Sequence, residues 1–82
     1  MEIKVLGTGC TKCQKLYAEA KKAVELCGQP ITLSKVEKID EIMTYGVMAT
    51  PALVIGSEVK STGRIVPASE IATMITNALA KG

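Results

Sequence analysis

The residues with the clearest capacity for chemistry are two cysteines, Cys10 and Cys13, which are separated by two residues in the segment GTGCTKC. Two thiols at this spacing can form a reversible disulfide or bind a soft metal ion. A short run of apolar and β-branched residues precedes them, and a segment with helical periodicity follows. The pair is therefore predicted to lie at a strand-to-helix junction.

Cys10 is expected to be the more acidic thiol, because it lies at or next to the start of the predicted helix. The unpaired N–H groups and the dipole of a helix start stabilise a thiolate, and Lys12 and Lys15 add positive charge nearby. Cysteines in such positions can have a pKa of about 3.5–7.5, compared with about 8.5 when free. Cys13 lies one turn further, on the apolar face of the helix. We therefore expect Cys10 to attack a disulfide and Cys13 to act as the resolving thiol.

Other interpretations of the cysteine pair remain open. Paired thiolates also bind Cu(I), and the segment beginning at Gly7 is similar to the start of heavy-metal-associated copper chaperones, so a soft-metal carrier is the main alternative. A structural zinc site normally needs four ligands, and the chain has three cysteines and no histidine. The pair could also be inert, or belong to a redox-silent adaptor that only binds partners.

Composition restricts the class of protein. The 82 residues predict one domain, 1–82, whose core lacks Phe and Trp. The net charge of +2 is spread along the chain, and aromatic residues for base stacking are scarce, so nucleic acid is not an expected partner. The first residues show no signal-peptide pattern, and no stretch approaches the roughly 20 apolar residues that cross a bilayer. We expect a cytoplasmic protein with no membrane partner.

Hydrophobic periodicity and turn residues predict an α/β fold of order βαβαββα. The predicted strands are residues 2–6, 31–36, 52–55 and 58–62, and the predicted helices are residues 11–27, 38–45 and a last helix after Pro67. Gly28 and Pro30 mark the end of the first helix. Gly56 and Ser57 predict a hairpin between the last two strands. The first two strands are expected to be parallel, because a helix connects them.

The apolar stripes predict which helix faces are buried. In the first helix the stripe is Cys13, Leu16, Tyr17, Ala20, Val24 and Cys27; in the second it is Ile39, Ile42 and Met43; in the third it is Ile71, Met74, Ile75, Ala78 and Leu79. Pro67 and Ser69 are predicted start signals for the third helix. Cys27 lies about 21 Å along the helix from Cys13, too far for a disulfide, and is interpreted as a core residue.

Four motifs together resemble the thioredoxin superfamily over nearly the whole chain: the cysteine segment, YGVM at 45–48, TPAL at 50–53, and Gly63-Arg64. They are most similar to the small redox-active disulfide proteins of archaea and bacteria, the redox-active disulfide protein 2 or glutaredoxin-like thioredoxin type. The resemblance implies a thioredoxin-like fold with a mixed four-stranded sheet and three helices. It also implies a thiol–disulfide oxidoreductase with no cofactor beyond the Cys10–Cys13 disulfide.

The resemblance implies that Pro51 is cis, that its loop faces the cysteines, and that the Thr50 backbone pairs with an extended substrate segment. The implied substrate surface is Thr50, Pro51, Gly9, Thr11, Lys12 and Gly63. The implied partners are disulfide-containing protein substrates and an electron donor, a thioredoxin reductase-like flavoprotein or another thiol, acting on a monomer. The pair Thr11-Lys12 differs from the Gly-Pro of typical thioredoxins and the Pro-Tyr of typical glutaredoxins. The resemblance therefore does not imply a particular reduction potential or reductase. Residues 63–68, GRIVPA, also stand in place of the Gly-Gly-containing segment with which glutaredoxins bind glutathione, so the resemblance does not imply glutathione binding.

Overall fold

The computed structural model describes residues 1–9, 11–28 and 30–80. Over these residues, strands and helices follow one another in the predicted order βαβαββα. The strands are β1 Glu2–Leu6, β2 Thr32–Val36, β3 Ala52–Ile55 and β4 Glu58–Thr62; the helices are α1 Thr11–Cys27, α2 Ile39–Met43 and α3 Ala68–Ala80. In the part of the chain described, no helix combines the length and apolar character that crossing a membrane requires.

The strands form one mixed sheet in the order β2-β1-β3-β4. β1 and β2 are parallel, as predicted, and Val5 lies opposite Lys35. β3 is antiparallel to both β1 and β4, which confirms the predicted hairpin. The β1–β2 pairing continues past the strand, because the Gly7 N–H donates to the Val36 carbonyl at 2.9 Å. The carboxyl ends of the two parallel strands therefore meet at the edge where the cysteine segment begins.

Two apolar layers enclose the sheet. α1 and α3 cover one face, where their side chains pack on Leu53 and Ile55 of β3, and α2 covers the other face, on Ala52 and Val54. All four residues of β3 are buried. Alternate side chains of a strand point to opposite faces, so a continuous apolar run is what a central strand with both faces covered requires.

The stripes of α1 and α3 differ in detail from the prediction. In α1 the buried residues are Cys13, Leu16, Ala20 and Ala23, whereas Tyr17, Val24 and Cys27 are only partly buried. Ala23 was not in the predicted stripe. In α3, Ile71 and Ile75 are buried and Leu79 is exposed. Because α1 lies against both the sheet and α3, its contact surface is broader than one sheet-facing stripe and includes the small side chain at position 23.

The second helix is shorter than predicted and buries one apolar residue instead of three. Ile42 is the buried residue of α2, whereas Ile39 and Met43 are 64% and 67% exposed. A five-residue helix makes little more than one turn, so a single position faces the sheet. Tyr45 and Val47, which follow the helix, pack on the same cluster and complete the cover.

The start of α3 is stabilised by a side chain from α1. The Ala68 N–H donates to the Glu19 Oε1 at 3.0 Å, and the Glu19 Oε2 accepts from Lys22 at 3.3 Å. Pro67 directly precedes the helix, as its sequence signal predicts, and Ser69 lies inside the first turn. The hydrogen bond from Ala68 and then the contact with Lys22 lower the pKa of Glu19 below its ordinary value of 4.5.

We predict that Glu19→Gln changes how stability depends on pH. A lowered folded-state pKa contributes stability that is present above pH 4.5 and is lost as the pH falls through the folded-state value. The variant should be less stable than the wild type at neutral pH and approach it in acid. Urea unfolding from pH 7 down to pH 3 measures this. Glu25→Gln is the control, because Glu25 is an exposed carboxylate on the same helix; parallel curves for Glu19→Gln and wild type would contradict the assignment.

Candidate active site

The end of β1 and the start of α1 position the cysteine segment. β1 ends at Leu6 and α1 begins at Thr11, so the predicted strand-to-helix junction is confirmed. Cys13 lies in the first turn of α1 and is buried. Cys10 lies outside the described residues, and its predicted acidity and its bond to Cys13 stay predictions.

Cys13 packs directly against the Gly7 backbone. A Cβ atom at Gly7 would collide with the Cys13 Sγ, and would lie 3.0 Å from the Cys13 Cβ and 4.0 Å from the Pro51 Cα. Any residue with a side chain would therefore push against the thiol. Glycine at this position lets the Cys13 sulfur and the Pro51 backbone approach the same point of the loop.

The loop before β3 lies beside Cys13, as the resemblance implies. The peptide bond between Thr50 and Pro51 is cis, Pro51 is buried and Thr50 is exposed. The Gly63 N–H donates to the Pro51 carbonyl at 2.8 Å. Gly63 has a φ of 72°, a left-handed conformation that glycine adopts without strain. The structure thus joins two of the predicted substrate residues, Pro51 and Gly63, by a backbone hydrogen bond.

The remaining predicted substrate residues surround the start of α1. Thr11 and Lys12 are exposed in its first turn. Gly9 precedes the helix with a φ of 89°, and its carbonyl accepts a hydrogen bond from the Gln14 Nε2 at 3.2 Å. Their contact with a substrate stays a prediction.

A cavity of about 220 Å³ opens beside Cys13, between the start of α1 and the end of β2. Its lining residues are Val5, Gly7, Gly9, Cys13, Gln14, Lys35 and Glu37. Sequence reasoning did not select Gln14, Lys35 or Glu37. The predicted topology contained a signal for Lys35 and Glu37, which stand at the end of the strand predicted to pair with β1. Parallel strands bring their carboxyl ends to one edge of the sheet, so these two residues could have been expected beside the cysteine segment.

Lys35 is held in place by an aromatic ring. Its Nζ lies 4.4 Å from the centre of the Tyr17 ring, which projects from α1 one turn after Cys13. A cation over a ring face at this distance is attracted by the ring electrons. The positive charge is therefore kept close to the cysteine segment.

Tyr45, the first residue of the YGVM motif, links the loop after α2 to the sheet. The Lys4 Nζ donates to the Tyr45 hydroxyl at 2.8 Å and lies 3.7 Å from the Glu2 carboxylate. The hydrogen bond to Tyr45, with a smaller effect of Glu2, raises the pKa of Lys4 above 10.5. The charged lysine thus anchors this loop on the α2 face.

Cys27 lies away from this site. It is partly buried between α1 and α3, and its Sγ lies 3.9 Å from the Ala72 carbonyl, in agreement with the predicted core role. Among residues 1–9, 11–28 and 30–80, no group of three or more histidine, cysteine, aspartate or glutamate side chains is placed to hold a metal ion.

A cysteine at the start of the first helix, a cis-proline loop beside it and a β2-β1-β3-β4 sheet covered by helices on both faces define a thioredoxin-like fold. The chain belongs to the thioredoxin domain family, whose model matches residues 1–76. In general terms, the protein is a thiol–disulfide oxidoreductase.

Two archaeal relatives support this membership. A thioredoxin of Methanothermobacter thermautotrophicus is 34% identical over 76 residues, which are 93% of this chain and 99% of that protein. A thioredoxin of Methanocaldococcus jannaschii is 36% identical over 69 residues, 84% of this chain and 79% of that protein.

Solved structures show the same fold at low sequence identity. A chloroplastic thioredoxin z matches 96% of this chain and 78% of its own, with 19% identity and a TM-score of 0.72. A malarial protein matches 95% of this chain and 96% of its own, with 19% identity and a TM-score of 0.68. The α/β thioredoxin-like fold predicted from the sequence is confirmed.

Proposed function

We propose that the protein reduces disulfides of protein substrates, with Cys10 as the nucleophile and Cys13 as the resolving thiol. The observation that carries the proposal is the position of Cys13 in the first turn of α1, packed on Gly7 beside the cis-Pro51 loop. A buried thiol in this position is shielded from competing reactions in solution. The proposal requires Cys13 to attack the sulfur of Cys10, three residues earlier in the chain.

The proposed reaction has two exchange steps. The Cys10 thiolate attacks one sulfur of the substrate disulfide, forms a mixed disulfide and releases the other sulfur as a thiolate, which takes up a proton. Cys13 then loses its proton and attacks the Cys10 sulfur, which releases the second substrate thiolate. The substrate gains two electrons, and the protein dithiol becomes the Cys10–Cys13 disulfide.

The exposed Thr50, next to the buried Pro51, is the proposed contact for an extended substrate segment. Its backbone can pair with that segment as an added strand, beside the start of α1 with Thr11 and Lys12. After turnover, a thioredoxin reductase-like flavoprotein or another thiol donor would restore the dithiol. We propose that the protein acts in this way as a cytoplasmic monomer.

The direct test is a redox titration of the protein against glutathione buffers, followed by an insulin reduction assay. We expect one two-electron transition, with a slope of about 30 mV per tenfold change in the equilibrium constant, and catalysed reduction of insulin. Thiol alkylation and mass measurement report the two redox states. The absence of both the transition and the activity would overturn the proposal.

Cu(I) binding is tested in the same samples. The observed order βαβαββα ends in a helix, whereas the heavy-metal-associated domains considered above have the order βαββαβ, which supports oxidoreduction over metal carriage. Tight Cu(I) binding by a protein that reduces no disulfide would favour the soft-metal carrier instead.

A further inference from the structure

The cavity beside Cys13 presents two opposite charges near the proposed reaction centre. Lys35 and Glu37 both line it, together with the Cys13 thiol and the Gln14 side chain. The Glu37 Oε2 also lies 3.6 Å from the point where a Cβ of Gly9 would be. The carboxylate is thus next to the residue that precedes Cys10 in the chain.

These two charges do not neutralise each other. The Lys35 Nζ lies over the Tyr17 ring, and within the described part of the chain neither the Lys35 nor the Glu37 side chain takes part in an ion pair or a hydrogen bond. Both side chains are exposed. An ammonium group and a carboxylate therefore stand at one opening and remain available to a ligand that carries both charges.

The ligand that matches this arrangement has a carboxylate and an ammonium group close to a disulfide. An α-amino acid carries both groups on one carbon, and in cystine that carbon is two bonds from the sulfur. The volume of about 220 Å³ is below the roughly 300–1,000 Å³ of pockets for drug-sized ligands, so it suits a group of amino-acid size.

We propose that this cavity binds the α-amino-acid end of a small disulfide, with Lys35 at the carboxylate and Glu37 at the ammonium group. The proposal rests on the proposed oxidoreductase function and specifies a substrate class for it. The bound group would hold the ligand disulfide near Cys10. The two exchange steps then convert one small disulfide, R–S–S–R, and the protein dithiol into two R–SH and the Cys10–Cys13 disulfide.

The test compares four disulfides with pre-reduced protein in single turnover at low salt. Cystine carries both charges, 3,3′-dithiodipropionate only carboxylates, cystamine only ammonium groups, and 2-hydroxyethyl disulfide neither. Protein oxidation is followed by acid quench, alkylation and mass measurement. Each rate is first divided by the rate at which dithiothreitol reduces the same disulfide, which corrects for the intrinsic reactivity of that disulfide. The corrected rate is then divided by the corrected rate for 2-hydroxyethyl disulfide with the same protein variant. This quotient is the preference ratio of the disulfide.

We expect the wild-type protein to favour cystine over the neutral disulfide. Lys35→Gln should lower the ratio for cystine and dithiodipropionate, because both carry carboxylates. Glu37→Gln should lower the ratio for cystine and cystamine, because both carry ammonium groups. Each decrease should be about 2–5-fold, the size expected for exposed charge pairs. Lys38→Gln and Glu41→Gln are matched controls, because both residues are exposed and neither lines the cavity. Their ratios should stay at the wild-type values.

Two results would overturn this inference: no preference among the four disulfides, or equal losses in the control variants, which would indicate a long-range charge effect. Glutathione disulfide provides a further comparison, because its amino-acid ends lie farther from the sulfurs. If the protein prefers glutathione disulfide to cystine, and this preference depends on Lys35 and Glu37, the cavity binds an amino-acid group that lies farther from the disulfide. Failure of the protein to reduce 2-hydroxyethyl disulfide would instead count against the oxidoreductase function itself.

Discussion

Cys10→Ser is expected to abolish disulfide reduction, whereas Cys13→Ser is expected to hold the substrate as a stable mixed disulfide. A hydroxyl at position 10 cannot attack a disulfide as a thiolate does, so no covalent complex forms. With Cys10 intact and Cys13 replaced, the first exchange proceeds and the second has no nucleophile. Insulin turnover measures the loss, and non-reducing gels with mass spectrometry detect the trapped complex.

Cys27→Ser is the matched control for these variants, because Cys27 lies between α1 and α3, away from the site. It should retain turnover. Cys13 is buried, so Cys13→Ala is compared with Cys13→Ser to separate the missing thiol from a buried hydroxyl, and circular dichroism checks the fold of each. Normal substrate release by both Cys13 variants, or loss of turnover in Cys27→Ser alone, would contradict the assigned roles.

Gly7→Ala is expected to destabilise the protein by about 1–3 kcal/mol, the usual cost of overpacking a core, and to slow substrate release. The added methyl group would collide with the Cys13 Sγ, so the sulfur must move from the position from which it is proposed to resolve the mixed disulfide. Urea unfolding measures the first effect. Accumulation of mixed disulfide during turnover measures the second.

A double-mutant cycle tests whether the cost comes from this contact. In Gly7→Ala/Cys13→Ala the sulfur is absent, so Gly7→Ala should cost less than in the wild type, with a coupling of about 0.5–3 kcal/mol. Thr8→Ala, at the adjacent exposed position, should change stability by no more than about 0.5 kcal/mol. Additive effects of the two substitutions would exclude the proposed collision.

Local patterns in the sequence were sufficient for the main elements around the site. The bounds of β1 and α1 agree with the prediction. The short β-branched run is followed at once by glycines, the helical stripe of α1 is long, and Gly28 ends the helix with a left-handed conformation at φ 63°. The hairpin at Gly56 follows from equally local turn chemistry. These local patterns alone predict that the cysteine segment lies at a strand-to-helix junction.

Short elements and side chains that depend on distant partners were predicted less well. Ile39 and Met43 have helical spacing, but α2 is too short to bury them. The cap at Ala68 comes from Glu19, 49 residues away in the sequence, so the local Ser69 signal was misleading. The cis bond at Pro51 was implied by the family resemblance, since residue preferences alone favour trans.

The dithiol motif, the order of the elements and the apolar run of β3 follow from local residue patterns, because each depends on neighbours a few residues apart. The rest of the site depends on tertiary contacts: Gly7 leaves room for the Cys13 sulfur beside Pro51, and Lys35 and Glu37 line the same cavity as Cys13. These contacts bring together three segments that are far apart in sequence, around positions 7–13, 35–37 and 51. They arise only when β1, β2 and β3 pair, and no local periodicity encodes the resulting distances.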